Sequence, residues 1–189
     1  MYSASDLRKG LKVEIDGHPW LITNYTFTKP GKGQSIYKCR MRNMITGSGM
    51  ERSFRSGDKV GKPNLFEKRM AFSYVDGENY VFMDLETYEE TRMNEDALGD
   101  VKHFIVEDME VNILFFNDTP VEVELPTFIV KPIARTEPGA RGDTATNVVK
   151  PAWIDSGFEI AVPIFINEGD MVKIDTRTGE YVERVNLKK

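Results

Sequence analysis

Lys29-Pro30-Gly31-Lys32-Gly33-Gln34 is the stretch of this chain whose residue types lend themselves most directly to chemistry. Pro30 fixes one φ angle, and Gly31 and Gly33 open conformations closed to other residues. Lys32 then stands between two residues without side chains, a single long cation at the tip of a turn. The loop joins a strand-like run, Leu21 to Thr28, to a second, Ser35 to Met44. In the second run Lys38, Arg40 and Arg42 are spaced by two. On a strand that spacing puts all three on one face, while Tyr37 and Met41 take the other. A tip lysine backed by a cationic strip can hold a sugar–phosphate backbone, with Lys32 reaching farthest. Gly-Lys-Gly alone reads as a plain hairpin turn with a solvated lysine; the strip tells against that.

A second loop runs from Glu137-Pro138-Gly139 to Lys150-Pro151 and is rich in small and polar residues. Gly142, Asp143 and Thr144 sit within it, and Arg141 and Lys150 supply charge. It reads either as an inert connector or as an RNA contact whose glycine lets backbones approach closely. Arg141-Gly142-Asp143 matches an adhesion tripeptide, a reading that needs secretion. Neither Gly31-Lys32-Gly33 nor Gly61-Lys62-Pro63 fits a nucleotide phosphate loop, which needs Gly, four residues, then Gly-Lys-Ser/Thr entering a helix.

Asp84, Glu86, Glu89, Glu90, Glu95 and Asp96 crowd the middle of the chain. Paired carboxylates can hydrolyse glycosides, but nothing in the sequence sets a distance between them, and a solvated surface is the preferred reading. His18 and His103 join no Ser or Cys constellation. One cysteine, Cys39, and two histidines give neither an internal disulfide nor a usual structural zinc site. No metal and no cofactor is expected.

The elements that must position these residues follow from composition and turn chemistry. With 40% hydrophobic and 29% charged residues and a net charge of −5, the 189-residue chain can bury a core. The longest apolar run, Ile160 to Ile166, is broken by Pro163, well short of a membrane helix. No apolar stretch follows Arg8 and Lys9, so no signal peptide is expected and a cytoplasmic protein is. Charge is uneven. Residues 1–64 hold twelve Lys/Arg against five Asp/Glu, a net +7. Residues 65–127 hold four against sixteen, −12, and residues 128–189 balance at nine each. The acidic total therefore hides a basic first third suited to phosphate.

Asp16-Gly17, Asp76-Gly77, Asn117-Asp118 and Thr178-Gly179 each separate apolar or alternating runs, the signature of hairpins. Many short strands favour small barrels or sandwiches. One or two helical turns are expected after Asn94, which can cap them. Pro63 and Pro126 lie at the charge steps and mark three units, 1–64, 65–127 and 128–189. Units this small bury limited surface alone.

Taken together, Lys29 to Gln34, Lys38 to Arg42, Thr46-Gly47, Phe72-Ser73-Tyr74-Val75-Asp76-Gly77, Gly142-Asp143-Thr144, Lys150-Pro151-Ala152 and Val172 to Tyr181 closely resemble the bacterial elongation factor P family. The resemblance spans essentially the whole chain. It implies an all-β fold of three small β-barrel domains, SH3-like followed by two OB-folds, in an L-shaped, tRNA-like arrangement. It also implies a monomeric, non-enzymatic translation factor that binds the 70S ribosome beside the P-site peptidyl-tRNA and relieves stalling at consecutive prolines. The family's modified loop-tip lysine falls on Lys32, which would receive a β-lysyl or another group from lysine-modifying enzymes. The implied RNA contacts are Lys29, Pro30, Gly31, Lys32, Gly33, Gln34, Lys38, Arg40 and Arg42, with Gly142, Asp143 and Thr144. Asn147-Val148-Val149 and Trp153-Ile154-Asp155 depart from the family's pattern. Two other readings compete: an OB-fold binder of single-stranded nucleic acid, disfavoured by the acidic middle third, and a carboxylate hydrolase.

Overall fold

Turn residues set the strand boundaries. Asp16 and Gly17 take φ of 52° and 75°, and Asn117 and Asp118 take 44° and 67°. Positive φ at both central positions is the geometry of a two-residue turn matched to strand twist. The computed structural model describes residues 1–139 and 148–186. Strands dominate, and helix is confined to short turns, as expected for an all-β chain. The chain divides into two compact units. One comprises Met1–Leu98 with Asn112–Glu124, the other Gly99–Val111 with Leu125–Lys189.

The first unit opens with β1 (Tyr2–Ser3), β2 (Lys12–Ile15), β3 (His18–Thr28), β4 (Ile36–Asn43), β5 (Gly49–Arg55) and β6 (Lys59–Val60). β2 to β5 form an antiparallel four-stranded sheet in sequence order, and β1 pairs with β6. Val13, Ile15, Ile22, Cys39, Met41, Phe54 and Val60 make its core, joined by Ala4 and Leu7. The turn between β4 and β5 is held by buried Asn43, whose side-chain oxygen accepts the backbone N–H of Ile45 at 2.8 Å and Thr46 at 3.0 Å. At Gly61 a Cβ would lie 2.7 Å from the Glu14 carbonyl oxygen, so the close pairing of these backbones requires glycine there.

The same unit continues through β7 (Leu65–Asp76), β8 (Asn79–Asp84), β9 (Glu90–Asn94), α1 (Glu95–Leu98), β10 (Glu110–Phe116) and β11 (Thr119–Glu124). These strands order as β11-β10-β7-β8-β9. Apolar contact ties the two sheets: Met44 packs with Phe116 and Val121, flanked by Leu21, Leu65 and Leu114. Lys12 Nζ also pairs with Glu122 at 2.9 Å.

The second unit carries β12 (Phe128–Thr136), β13 (Val149–Ile154), β14 (Glu159–Pro163), β15 (Met171–Asp175) and β16 (Glu180–Val185), ordered β14-β13-β12-β15-β16. Its core of Ile129, Ile133, Ala152, Ile154, Ile160, Val162, Ile166, Val172 and Ile174 is completed by Phe104. Phe104 follows a 3-10 turn at Gly99–His103 and meets Phe158 edge-on at 5.0 Å. Burial of a phenyl group is among the larger single contributions to a small core.

Candidate nucleic-acid interface

β3 and β4 build the site as one long hairpin. Register pairs run from Trp20 with Asn43 to Thr28 with Ile36, and residues 29–35 project beyond the last pair. β5 supports the hairpin as far as Ile36, paired with Arg55, and the Ser56 N–H donates to the Ser35 carbonyl at 3.0 Å. The loop therefore stands on three hydrogen-bonded strands. Gly33 takes φ of 130°, in the region that favours glycine, and Gly31 has open space around it. Lys29, Gly31, Lys32, Gly33 and Gln34 are exposed, and Pro30 is half-buried.

β4 shows the alternation that period-two spacing dictates. Lys38, Arg40 and Arg42 are exposed, while Cys39, Met41 and Asn43 are buried. The structure thus brings the three cations to one face, on the strand that descends from the loop. Lys29, Lys32 and Arg42 make no ion pair among the described residues. Lys38 and Arg40 do, and the sequence reading missed their partner. Glu51 on β5 lies opposite Arg40 in register and takes Lys38 Nζ at 2.8 Å and Arg40 Nε at 3.2 Å. Lys38 first, then Arg40, holds the Glu51 carboxyl below the usual glutamate range. The strip is therefore partly neutralised at Lys38 and Arg40, and Arg42 keeps its charge free of an ion pair among the described residues. Asn24 and Thr26 of β3 line the same shallow depression.

The opposite face of the hairpin is aromatic. Phe27, Tyr37 and Phe54 form one row across β3, β4 and β5, and Tyr25, Cys39 and Arg52 form the next. Ring centroids lie 5.1 Å apart for Phe27 and Tyr37, and 6.3 Å for Tyr25 and Tyr37. Burial pushes the Tyr25 hydroxyl and the Cys39 thiol up from their ordinary values, with neighbouring Tyr37 adding to the shift at Tyr25. Cys39 is thus a core residue rather than a reactive thiol.

Gly142, Asp143 and Thr144 lie outside the described residues. The strands that flank their loop are tied together, since the Thr136 hydroxyl donates to the Pro151 carbonyl at 3.1 Å and the Glu137 N–H to the same oxygen at 3.3 Å. Two of the middle-third carboxylates, Asp84 and Glu90, serve local structure. Asp84 accepts the N–H of Glu86 at 2.8 Å and Thr87 at 3.2 Å, with Lys68 at 3.4 Å. Glu90 meets the Tyr74 hydroxyl at 3.4 Å. The His103 ring packs at a tilt against Phe158, with centroids 5.2 Å apart. Among the described residues no three His, Cys, Asp or Glu side chains group as a metal site.

Comparison with known proteins bears on the whole chain. Three family models match it: the elongation factor P KOW-like domain over residues 3–60, the elongation factor P OB domain over 65–123, and the elongation factor P C-terminal model over 129–184. The chain is 50% identical over 186 residues to elongation factor P of Desulforapulum autotrophicum, covering 98% of this chain and 100% of that one. It is 46% identical over 185 residues to elongation factor P of Desulfotalea psychrophila, covering 98% and 99%. Among solved structures, eukaryotic translation initiation factor 5A from Methanococcus jannaschii aligns with a TM-score of 0.54 at 22% identity, over 63% of this chain and 88% of that one. That last likeness concerns the fold.

Proposed function

The chain belongs to the elongation factor P family of translation elongation factors, and from that membership we propose that it binds the 70S ribosome beside the P-site peptidyl-tRNA and promotes peptide-bond formation at consecutive prolines. One observation carries the reading. Lys32 is an exposed cation between two glycines, without an ion pair among the described residues, on a loop raised beyond the last register pair of a three-stranded support. Lys29 shares that loop, and Lys38, Arg40 and Arg42 continue the positive charge down β4.

Proline is a cyclic secondary amine, and its ring restricts the nascent chain, so productive geometry at the reaction centre is rarely reached. Peptide-bond formation depends on orientation, and small misplacement is costly. A long cation held against the tRNA acceptor end fixes its phosphates and restores that geometry. The factor supplies neither nucleophile nor base, and it acts as a cytoplasmic monomer without a cofactor. Lys32, extended by a β-lysyl or another group that modifying enzymes attach, reaches farther than lysine alone. Gly142, Asp143 and Thr144 are a second RNA contact in this reading.

The test is synthesis through three consecutive prolines in a reconstituted translation system, with a proline-free template as control. Factor purified from its native host restores synthesis on the proline template alone, and Lys32→Ala abolishes that effect while melting like the parent. Normal rescue by folded Lys32→Ala would overturn the role of the loop tip. No rescue by the natively modified factor would overturn the function.

A further inference from the structure

Phe27 is the exposed end of the aromatic row that crosses the hairpin, opposite the cationic strip. Its ring packs on Tyr37 at 5.1 Å, and Tyr37 pairs in turn with Phe54, which is 5% exposed. Phe27 itself is 48% exposed. Its position in the sheet explains why. β2 pairs with β3 only from His18 to Leu21, so from Tyr25 to Thr28 β3 has β4 on one side and, among the described residues, no strand on the other. A flat apolar ring is thus braced from behind, free in front, and set one residue below the last pair of the loop hairpin.

Single exposed apolar residues are ordinary, and Phe27 could merely shield Tyr37. The surrounding charge argues for more. Lys29 and Lys32 follow it in the loop, and Arg52, in the neighbouring row on the same face, lies 5.5 Å from the Phe54 ring. Cations in the adjoining loop and at the far end of the same aromatic row, with a braced, open ring between them, suit a ligand that is both polyanionic and flat. A nucleic-acid strand has both properties, and only an unpaired base offers its face. A protein partner matched to the charge would be acidic, and the variants below separate it from a base by whether the flat aromatic face is required.

We propose that Phe27 stacks on an unpaired nucleobase at the single-stranded acceptor end of the P-site tRNA, so that the hairpin grips the strand by base on one face and by phosphate on the other. This rests on the function proposed above. Stacking is insensitive to salt, whereas phosphate contacts release counterions and are strongly salt-dependent. The two faces therefore differ in a measurable way.

The experiment is binding of the full-length, natively modified protein to ribosomes carrying P-site peptidyl-tRNA and to vacant ribosomes, across a salt series. Phe27→Leu keeps an apolar side chain behind Tyr37 and removes the aromatic face; Phe27→Trp keeps the face. Phe27→Leu is expected to weaken binding to tRNA-bearing ribosomes by about tenfold at every salt concentration, with the salt slope unchanged and parental binding to vacant ribosomes. Phe27→Trp retains parental affinity, and Lys38→Gln flattens the slope. Thermal melts of the variants confirm folding. Parental affinity of Phe27→Leu for tRNA-bearing ribosomes would overturn the proposal and leave the function standing. An equal loss on vacant ribosomes would also overturn it, placing the ring on ribosomal RNA or protein. Failure of the parent to bind ribosomes at all would overturn the underlying function.

Discussion

Arg40 and Glu51 face each other in register across β4 and β5, with Nε 3.2 Å from the carboxylate, and the same carboxylate takes Lys38 at 2.8 Å. All three side chains are solvent-exposed, so the pairs add little to stability. Their effect falls on the surface potential of the hairpin. Glu51→Gln frees two cations on the strip, so ribosome affinity is expected to rise severalfold at low salt, with a salt slope steeper by about one. Sedimentation binding across a salt series checks this. Weaker binding would instead mean that Glu51 aligns Lys38 and Arg40 for their contact.

Gly31 and Gly33 flank Lys32 but are not equivalent. Gly33 holds φ of 130°, while Gly31 has neither a positive φ nor a close neighbour. Gly33→Ala should strain the loop by roughly 1–3 kcal/mol and shift it away from its present shape. Proline-specific rescue is expected to drop sharply in Gly33→Ala and to change little in Gly31→Ala. The triple-proline translation assay compares them directly, and similar losses in both would show that loop shape is not what matters.

Asp84 sets the turn after β8. The N–H groups of Glu86 and Thr87, then Lys68, hold its carboxyl below the usual aspartate range. A carboxyl whose folded value is depressed contributes stability above its unfolded value, about 3.9, and loses it as pH falls through the lower folded value. Asp84→Asn should therefore melt below the parent at neutral pH, and the gap should close below about pH 4. Melting curves from pH 7 to pH 2.5 follow this; a gap independent of pH would remove charge as the cause.

Phe104 is 2% exposed among the core residues of the second unit. Phe104→Ala should cost about 3–5 kcal/mol. The loss should appear in urea unfolding followed by Trp153 fluorescence in a Trp20→Phe background. An unchanged midpoint would show that the core closes without the ring.

The strip on β4 could be read from the sequence because strand alternation is local: Lys38, Arg40 and Arg42 needed no partner strand to declare a common face. The turns at Asp16-Gly17 and Asn117-Asp118 were legible for the same reason. Glu51 was not, since its meeting with Arg40 depends on the β4–β5 register, which buried Asn43 helps set through the turn between them. Phe27 looked like any strand aromatic until β2 was seen to end opposite Leu21. Phe104 lay in a segment with a legible helical tendency, but no local pattern tells which core a side chain will join.

The two units are interleaved along the chain, since residues 99–111 serve the second before residues 112–124 complete the first. Synthesis proceeds from the N-terminus, so Phe104 is made 25 residues ahead of Ile129, the first strand residue of its core. Over the same interval β7, β8 and β9 wait for β10 and β11, the two strands that complete their sheet. The first unit is complete only once residue 124 has been made, and by then the chain already carries the opening segment of the second. A chain truncated between Phe104 and Glu124 leaves both an unmatched sheet edge and an uncovered phenyl ring, the two features that invite association between unfinished chains.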